Sequence, residues 1–225
     1  MFDDLLYLKF QIDFALFMTH VKICGITNLE DALAAIEAGA DALGFNFYRH
    51  SPRFREPRAA RQIIAQMPDK VSCVGVYVNE DAPEQVARIA DEAGVDIVQL
   101  HGDESPEFCR ALRQTHRVIK ALRVSESFAS ENALSYEAEA ILLDAYSPRS
   151  HGGTGSVFDW AVARRTREIV SQLYLAGGLA PENVREAINH VEPYAVDACS
   201  LIERAPGRKD HGRMRDFIAA ARRKA

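Results

Sequence analysis

The 225-residue sequence predicts an α/β fold, a single (β/α)8 (TIM) barrel. Eight short runs rich in Val, Ile, Leu and Phe recur from residue 20 onwards, and most segments between them have apolar residues at helical spacing. Strands that alternate with helices imply parallel pairing through right-handed crossovers. Eight such units in about 205 residues lie near the lower size limit of a (β/α)8 barrel.

The strand candidates are the eight apolar runs, each short enough for one barrel strand. They cover residues 21–24, 42–47, 71–78, 96–100, 118–122, 140–144, 172–176 and 194–198. Helical spacing is clearest after the first, third, seventh and eighth runs. The apolar positions there are Leu29, Ala32, Leu33 and Ile36, then Val86, Ile89, Ala90 and Ala93, then Val184, Ala187, Ile188 and Val191, and finally Met214, Phe217, Ile218 and Ala221.

Capping residues predict where these helices begin and end. The predicted starts are at Asn28, Pro57, Pro83, Ser105-Pro106 and Pro181, and the predicted stops are at Gly39 and Gly94. A doubly wound open sheet is the alternative fold, but it usually has fewer strands. Its nucleotide fingerprint is also missing, because no Gly-x-Gly-x-x-Gly opens a helix and "GGTGS" at 152–156 lacks the Lys-Ser/Thr of a P-loop.

Composition narrows the function classes. The net charge is −5 and the isoelectric point is about 5.8. This acidic balance argues against a basic stripe that binds nucleic acid and against binding to an anionic membrane surface. No apolar run approaches the roughly 18 residues of a membrane span. The four cysteines are far apart and form no CxxC pair, which argues against a zinc cluster or a disulfide framework. We therefore expect reduced thiols in a cytoplasmic protein without a targeting signal.

Residues 1–17, "MFDDLLYLKFQIDFALF", differ from the rest of the chain. They are apolar but contain several charged residues, with no basic start and no small-residue cleavage site, so a signal peptide is a poor interpretation. We expect a leader of uncertain structure at 1–17 and a catalytic barrel at 18–225. The alternative is a short amphipathic helix that packs on the barrel.

The first candidate site residue is Cys24, at the end of "VKIC", because barrel enzymes carry their chemistry where strands end. Strand alternation puts Lys22 and Cys24 on one face and Ile23 on the other. Ile23 suits the helix side, so Lys22 and Cys24 are expected to face the barrel axis. A nearby ammonium would favour the thiolate and lower the pKa of Cys24. The alternative is a small buried hydrophobic residue, as we expect for Cys73 and Cys109.

The second candidate is Asp144, which ends the apolar run "AILLD". A carboxylate after four apolar residues is costly unless it reaches solvent or a partner at the rim. Its position at a strand end favours catalysis, and the alternative is a partner for a loop cation such as Arg149. The following loop, "AYSPRSHGGTGSVFDW" at 145–160, is long and glycine-rich, as a closing lid would need to be.

Three further strand ends carry binding candidates. Gly177 and Gly178 end strand 7, where barrels often bind phosphate through backbone N–H groups, although a Gly-Gly pair also suits a plain tight turn. Arg53 offers a planar fork for a carboxylate, and a solvated loop cation is the alternative. His101 could move protons, but a histidine that is hydrogen-bonded at a strand end is the commoner case.

Eight motifs in order resemble one family, phosphoribosylanthranilate isomerase of tryptophan biosynthesis. They are "KICGIT-LEDA", "GADALGFNFY--SPR", "VGVYVN", "VQLHG", "ILLDA", "GGTG--FDW", "LAGGL-PENV" and "PGRKD", and they run from about Met18 to the C-terminus. Each motif alone is weak, but eight in register are highly specific. The resemblance implies an Amadori rearrangement of a phosphorylated aminoaldose to an aminoketose, without cofactor or metal, by a monomer or homodimer.

The resemblance also implies residue roles. Asp144 corresponds to the general acid that opens the ribose ring, and Cys24 to the general base that removes the C2′ proton. The substrate-binding candidates are Arg53 for the anthranilate carboxylate, Gly177, Gly178 and Ser200 for the phosphate, Asp197 near the ribose, and His101.

One stretch departs from the family pattern. After strand 8 the family usually reads Asp-x-Ser-Ser-Gly-Val-Glu, whereas this chain reads "DACSLIE", so Cys199 replaces a serine and Leu201 a glycine. If that glycine needs positive φ, Leu201 would be strained by ~1–2 kcal/mol. Two other functions are possible. A bifunctional histidine–tryptophan isomerase would have an aspartate where Cys24 stands, and a binding barrel without catalysis would not be expected to keep both Cys24 and Asp144.

Overall fold

The computed structural model describes residues 18–125, 127–145 and 160–223, and its eight central strands close a parallel barrel in chain order. The predicted fold class is therefore confirmed, and each predicted run overlaps one strand. The barrel strands are β1 (His20–Ile23), β2 (Ala42–Asn46), β3 (Ser72–Tyr77), β4 (Ile97–Leu100), β5 (Arg117–Val124), β6 (Ala140–Ala145), β7 (Leu173–Leu175) and β8 (Ala195–Ala198). The predicted leader at 1–17 lies outside the described residues, as does nearly all of the predicted lid.

Helices cover the outside of the barrel. They are α1 (Leu29–Ala38), α2 (Pro57–Ile64), α3 (Pro83–Ala93), α4 (Pro106–Leu112), α5 (Trp160–Ile169), α6 (Val184–Val191) and α7 (His211–Arg222). After β5 a 3-10 helix, Ser130–Tyr136, stands in place of an α-helix. The Ser135 hydroxyl donates to the Asn132 carbonyl at 2.7 Å, and such a bond competes with the backbone hydrogen bonds of an α-helix. Among the described helices, none has the length and apolar character that crossing a membrane requires.

Most predicted helix boundaries are confirmed. The Asn28 side chain accepts a hydrogen bond from the Asp31 N–H at 2.9 Å, and Gly39 and Gly94 end their helices with φ of +102° and +72°. The start at Pro181 was wrong, since α6 begins at Val184. The reason is local, because the side chain of Asn183 accepts from the Ala180 N–H at 2.8 Å and holds the preceding residues in a turn.

The apolar core has two layers, which follow from side-chain alternation along the strands. One layer fills the barrel and includes Val74, Ile119 and Leu142, and the other lies between the strands and the helices. Leu33 belongs to the apolar pattern that predicted α1, but its side chain is 48 % exposed. Asp31 is buried on α1 instead, since its carboxylate accepts from the Lys209 N–H at 3.0 Å and contacts His211 at 2.8 Å.

A short antiparallel hairpin, β9 (Glu203–Ala205) and β10 (Arg208–Lys209), follows β8 and was not predicted. Pro206 and Gly207 form its turn, and Gly207 has a φ of +75° that glycine adopts without strain. The Pro-Gly pair is a turn signal that could have revealed the hairpin. The hairpin matters for function because it brings Glu203 and Lys209 to the mouth of the barrel.

Candidate active site

A cavity of about 240 Å³ lies at the carboxyl ends of the strands. Every residue that the sequence analysis proposed for the site lines this cavity. These residues are Cys24, Arg53, His101, Asp144, Gly177, Gly178, Asp197 and Ser200. Strand ends that are far apart in the chain meet here because the barrel is closed.

Cys24 follows β1 and its thiol faces the cavity, with Lys22 on the same face and Ile23 in the outer core layer. The strongest influence on the thiol is a hydrogen bond from the side chain of Cys199, which holds the pKa of Cys24 well below its ordinary value. Burial opposes this shift, and the Lys22 ammonium supports it. The predicted direction is therefore correct, but sequence reasoning missed Cys199 as the main cause.

The space for the Cys24 sulfur depends on Gly44 in the adjacent strand β2. A Cβ atom at position 44 would lie 2.7 Å from the Cys24 Sγ and 3.0 Å from its Cα. The first distance is shorter than real Cβ contacts and the second is tighter than most of them, so a larger residue would displace the thiol. Gly44 thus fixes the position of Cys24, and the strand pattern alone could not reveal this.

Asp197 and Lys22 form a buried ion pair beneath the thiol. The Lys22 Nζ lies 2.7 Å from one oxygen of Asp197, and the lysine side chain is fully buried. Burial raises the pKa of Asp197 to about 7, although the Lys22 ammonium acts in the opposite direction. The second oxygen, Oδ1, is buried and has no hydrogen-bond partner among the described residues. Asp197 therefore presents an unused acceptor at the cavity.

Asp144 stands at the end of β6 and contacts His101 from the end of β4. The His101 Nε2 lies 3.1 Å from the Asp144 Oδ2, and the Nε2 of Gln99 lies 2.8 Å from the His101 Nδ1. With the Gln99 amide as the donor, the imidazole proton is on Nε2 and points to Asp144. His101 is thus hydrogen-bonded at its strand end, as the commoner alternative for this residue predicted. The contact with His101 was not predicted, and Arg149, the loop cation that was considered as a partner of Asp144, lies outside the described residues.

Arg53 is held at the cavity wall by a network that sequence reasoning missed. Its Nε and Nη2 donate to Glu203 at 2.9 and 2.6 Å, and the Lys209 Nζ donates to the same carboxylate at 3.0 Å. The Arg53 side chain is 19 % exposed, so it is not a solvated loop cation. Gly25, with φ +75°, allows this approach, since a Cβ there would lie 2.6 Å from the Arg53 Cδ.

Gly177 and Gly178 have φ of +80° and +69°, in the region that favours glycine. Nothing lies within 4 Å of a Cβ built on Gly178, so this backbone faces open space. Within the described part of the chain, neither of the two N–H groups donates to another residue. These N–H groups are therefore available to an anion in the cavity.

Leu201 is not strained, in contrast to the concern that its replacement of a glycine raised. The non-glycine residues with positive φ among the described residues are Asn79, Glu137 and Glu192. Leu201 instead lies in a 3-10 helix, Ser200–Ile202, at the rim of the cavity. The loop after β8 thus accommodates leucine with ordinary backbone geometry.

The fold and the cavity define a (β/α)8-barrel enzyme with its chemistry at the carboxyl ends of the strands. Residues 21–220 match the family model described as N-(5'phosphoribosyl)anthranilate (PRA) isomerase. The chain belongs to this family. Within the described residues, no group of three or more His, Cys, Asp or Glu side chains is arranged to hold a metal ion.

Relatives and solved structures agree with the family assignment. The chain is 51 % identical over 205 residues to N-(5'-phosphoribosyl)anthranilate isomerase of Trichlorobacter lovleyi, which covers 91 % of this chain and 98 % of that protein. The corresponding enzyme of Geobacter sulfurreducens is 52 % identical over 205 residues, with 91 % and 99 % covered. The crystal structure of the Thermotoga maritima enzyme superposes with a TM-score of 0.85 at 48 % identity, covering 91 % of this chain and 98 % of that one.

A further crystal structure is that of a phosphoribosylanthranilate isomerase in complex with reduced 1-(o-carboxyphenylamino)-1-deoxyribulose 5-phosphate. It has a TM-score of 0.82 at 46 % identity and covers 91 % of this chain and 98 % of that one. The protein is an isomerase of tryptophan biosynthesis that converts N-(5′-phosphoribosyl)anthranilate to 1-(o-carboxyphenylamino)-1-deoxyribulose 5-phosphate. These comparisons do not favour a bifunctional isomerase or a barrel without catalysis.

Proposed function

We propose that Cys24 is the general base and Asp144 the general acid of this rearrangement. The observation that carries the proposal is their position, because both side chains face one cavity from strands β1 and β6. Two strands separate β1 from β6 on one side of the barrel and four on the other. A substrate in the cavity would therefore have the base and the acid on different sides.

The first step opens the ribose ring. Asp144 donates a proton to the ring oxygen, and the C1′–O4′ bond breaks with its electron pair on that oxygen. The lone pair of the anthranilate nitrogen forms a C1′=N double bond, which gives a protonated Schiff base. His101 contacts the Asp144 Oδ2 and holds the carboxyl group in place for this transfer.

The second step removes the C2′ proton. The Cys24 thiolate takes it, the C2′–H electrons form a C1′=C2′ double bond, and the C1′=N pair returns to nitrogen. The enolamine becomes the ketone when C1′ gains a proton and the C2′ hydroxyl loses one. A lowered pKa suits this role because it increases the fraction of Cys24 that is thiolate and able to accept the proton.

The remaining cavity residues bind the substrate. The Nη1 of Arg53 donates to no described residue and is available to the anthranilate carboxylate, while Glu203 holds the rest of the guanidinium. The N–H groups of Gly177 and Gly178, together with Ser200, receive the phosphate. The free Oδ1 of Asp197 accepts a hydrogen bond from a ribose hydroxyl.

The proposed setting is the cytoplasm, with the enzyme as a monomer or homodimer. All four cysteines are free thiols, which is the state that a reducing compartment maintains. One relative is described as the dimeric enzyme of Thermotoga maritima from which monomers were generated. Analytical ultracentrifugation of the purified protein would distinguish the two states.

The experiment is a steady-state assay with enzymatically generated substrate. We expect Cys24→Ala and Asp144→Ala each to lower kcat by at least ~10²-fold, the range for removal of a positioned base or acid. Cys73→Ala is the matched control, because Cys73 is buried away from the cavity, and it should keep the rate of the folded enzyme. Near wild-type turnover by either active-site variant would show that its assigned role is wrong.

A further inference from the structure

The neighbouring strands β1 and β8 place Cys24 beside Cys199. The two strands pair in register, with Ile23 opposite Ala198, and the Cys24 N–H donates to the Ala198 carbonyl at 2.9 Å. Each cysteine is the residue that follows its paired strand. Paired strands lie roughly 4.8 Å apart, within the ~4.4–6.8 Å Cα separation that disulfides span.

The side chains of both cysteines face the same cavity. A side-chain hydrogen bond between the two thiols lowers the pKa of Cys24 and raises that of Cys199. A Cβ at Gly25 would lie 2.9 Å from the Cys199 Sγ, and one at Gly44 would lie 2.7 Å from the Cys24 Sγ. These glycines thus leave room for the two sulfurs to approach each other.

The other two cysteines are in a different environment. Cys73 and Cys109 are buried in the layer between barrel and helices, and burial raises their pKa values to about 12 and about 11. Thiols of this kind are inert because the thiolate is the reactive form. Cys24 is the contrasting case, since its lowered pKa favours the thiolate.

We propose that Cys24 and Cys199 are a redox modification site, in which a peroxide links them by a reversible disulfide that switches the isomerase off. The site goes beyond the isomerisation itself, in which Cys24 is the only one of the two thiols that takes a proton from the substrate. The cross-link follows from the position of the two sulfurs. Its effect on turnover rests on the proposed role of Cys24 as the base.

The chemistry has two steps. The Cys24 thiolate attacks a peroxide oxygen, so an S–O bond forms, the O–O bond breaks and hydroxide departs. Cys24 is then a sulfenic acid. Cys199 then loses its proton and attacks that sulfur, so the S–S bond forms, the S–O bond breaks and water leaves. The proton of Cys199 makes this second leaving group water, and the hydroxide of the first step takes up the proton that the Cys24 thiol lost when its thiolate formed, so the two thiols are oxidised while hydrogen peroxide is reduced to two waters.

The hydrogen bond also sets the order of the two steps. It raises the pKa of Cys199 well above its ordinary value, because Cys199 is the donor and the neighbouring sulfur is negative. Oxidation of Cys24 removes that negative charge, and with it the cause of the raised pKa. Cys24 therefore reacts first, and Cys199 becomes the resolving thiol only afterwards.

The first test treats the full-length protein with hydrogen peroxide and then counts thiols under denaturing conditions. We expect the four free thiols to fall to two, and peptide mapping to find Cys24 linked to Cys199. Activity should fall by roughly 10²-fold or more, as for loss of a general base, and dithiothreitol should restore it.

The second test uses Cys199→Ser, with Cys73→Ser as the matched control, and compares each protein with its own untreated rate. Without a resolving thiol, excess peroxide takes Cys24 to the sulfinic acid, which dithiothreitol does not reduce. We therefore expect peroxide to inactivate Cys199→Ser irreversibly, whereas Cys73→Ser recovers as the wild type does.

Two results would overturn the redox site, namely four thiols that survive treatment, or recovery of Cys199→Ser as complete as that of the wild type. If the protein formed the Cys24–Cys199 cross-link and kept its full rate, the disulfide would not switch the enzyme off, and the assignment of Cys24 as the base would also be wrong. If no cross-link formed, only the redox site would be wrong, and the Cys24→Ala assay would still test the assignment of Cys24 as the base. The failures of the two proposals are therefore distinguishable.

Discussion

Two buried ion pairs of the barrel have the same length but different surroundings. Lys22 and Asp197 join β1 to β8, and Lys120 of β5 pairs with Glu104 in the loop after β4, each with 2.7 Å between the ammonium nitrogen and a carboxylate oxygen. Both lysine side chains are buried almost completely. Length and burial therefore do not distinguish the pairs, whereas their remaining hydrogen-bonding groups do.

The pair of Lys120 and Glu104 is complete, in the sense that its ammonium group and both carboxylate oxygens have further hydrogen-bond partners. The Lys120 Nζ also donates to the Gly102 carbonyl at 2.7 Å. Glu104 accepts from the backbone N–H groups of Asn79 at 2.8 Å and Gly102 at 3.0 Å. Both carboxylate oxygens are thus used, and the pair ties the loop after β3 to the loop after β4. This is the arrangement of a structural ion pair.

The pair of Lys22 and Asp197 is incomplete. The Oδ1 of Asp197 has no partner among the described residues, and burial raises the pKa of this carboxyl group to about 7. The pair lies on the inward face of the barrel, next to Cys24 and the cavity. A buried acceptor without a partner is costly, so its presence at a cavity indicates a place for a ligand group.

The largest expected effect comes from breaking the complete pair. Glu104→Ala leaves the Lys120 ammonium buried without its carboxylate, so the free energy of unfolding should fall by about 3–5 kcal/mol. Turnover per folded molecule should stay the same, because Glu104 lies away from the cavity. Urea denaturation and an assay below the transition measure the two quantities. A large loss of turnover at unchanged stability would show that this pair also serves the site.

Breaking the incomplete pair should change catalysis instead. Asp197→Asn keeps the shape of the side chain but removes its charge, and a hydrogen bond to a charged group is worth about 1.5–3 kcal/mol. We therefore expect kcat/KM to fall by roughly 10- to 100-fold. Glu104→Gln is the matched control and should leave kcat/KM unchanged. Equal effects of the two amide variants on kcat/KM would contradict the distinction between the pairs.

A smaller effect concerns the pH dependence. Cys199→Ala removes the hydrogen bond that lowers the pKa of Cys24, so that pKa should rise. The base must be deprotonated, and the acidic limb of kcat/KM should therefore move to higher pH. Cys199→Ser keeps a donor and should move the limb less.

Cys109→Ala is the control for Cys199→Ala. Cys109 is the thiol near the other ion pair, since the charges of Lys120 and Glu104 act on it. Its pH profile should match that of the wild type. If Cys199→Ala leaves the acidic limb where it is, then Cys199 does not set the state of the base.

The smallest expected effect is at the rim of the cavity. Leu201→Gly adds freedom to the unfolded chain at a position without positive φ, so stability should fall by about 0.4–1 kcal/mol. Removal of the side chain should lower KM for the phosphorylated substrate, with little change in kcat. Thermal unfolding and steady-state kinetics measure both, and a higher KM would show that leucine contributes to substrate binding.

The sequence by itself determined the elements and the location of the site. Alternating strands and helices predicted the barrel, and capping residues such as Asn28 and Gly39 placed most helix ends, because these signals act within a few residues. The strand ends also held every proposed site residue, since a barrel directs those positions to one face. Local sequence patterns are sufficient to predict features such as strands and helix ends, because the interactions that determine these features lie within a few residues.

The tertiary structure alone decided which groups meet and what they do to one another. Lys22 and Asp197 are 175 residues apart in the chain, and no local pattern pairs them. Closure of the barrel between β1 and β8 brings them together and puts the Cys199 thiol against Cys24. The pKa of a buried group depends on burial and on neighbouring charges, and both exist only after the chain has folded.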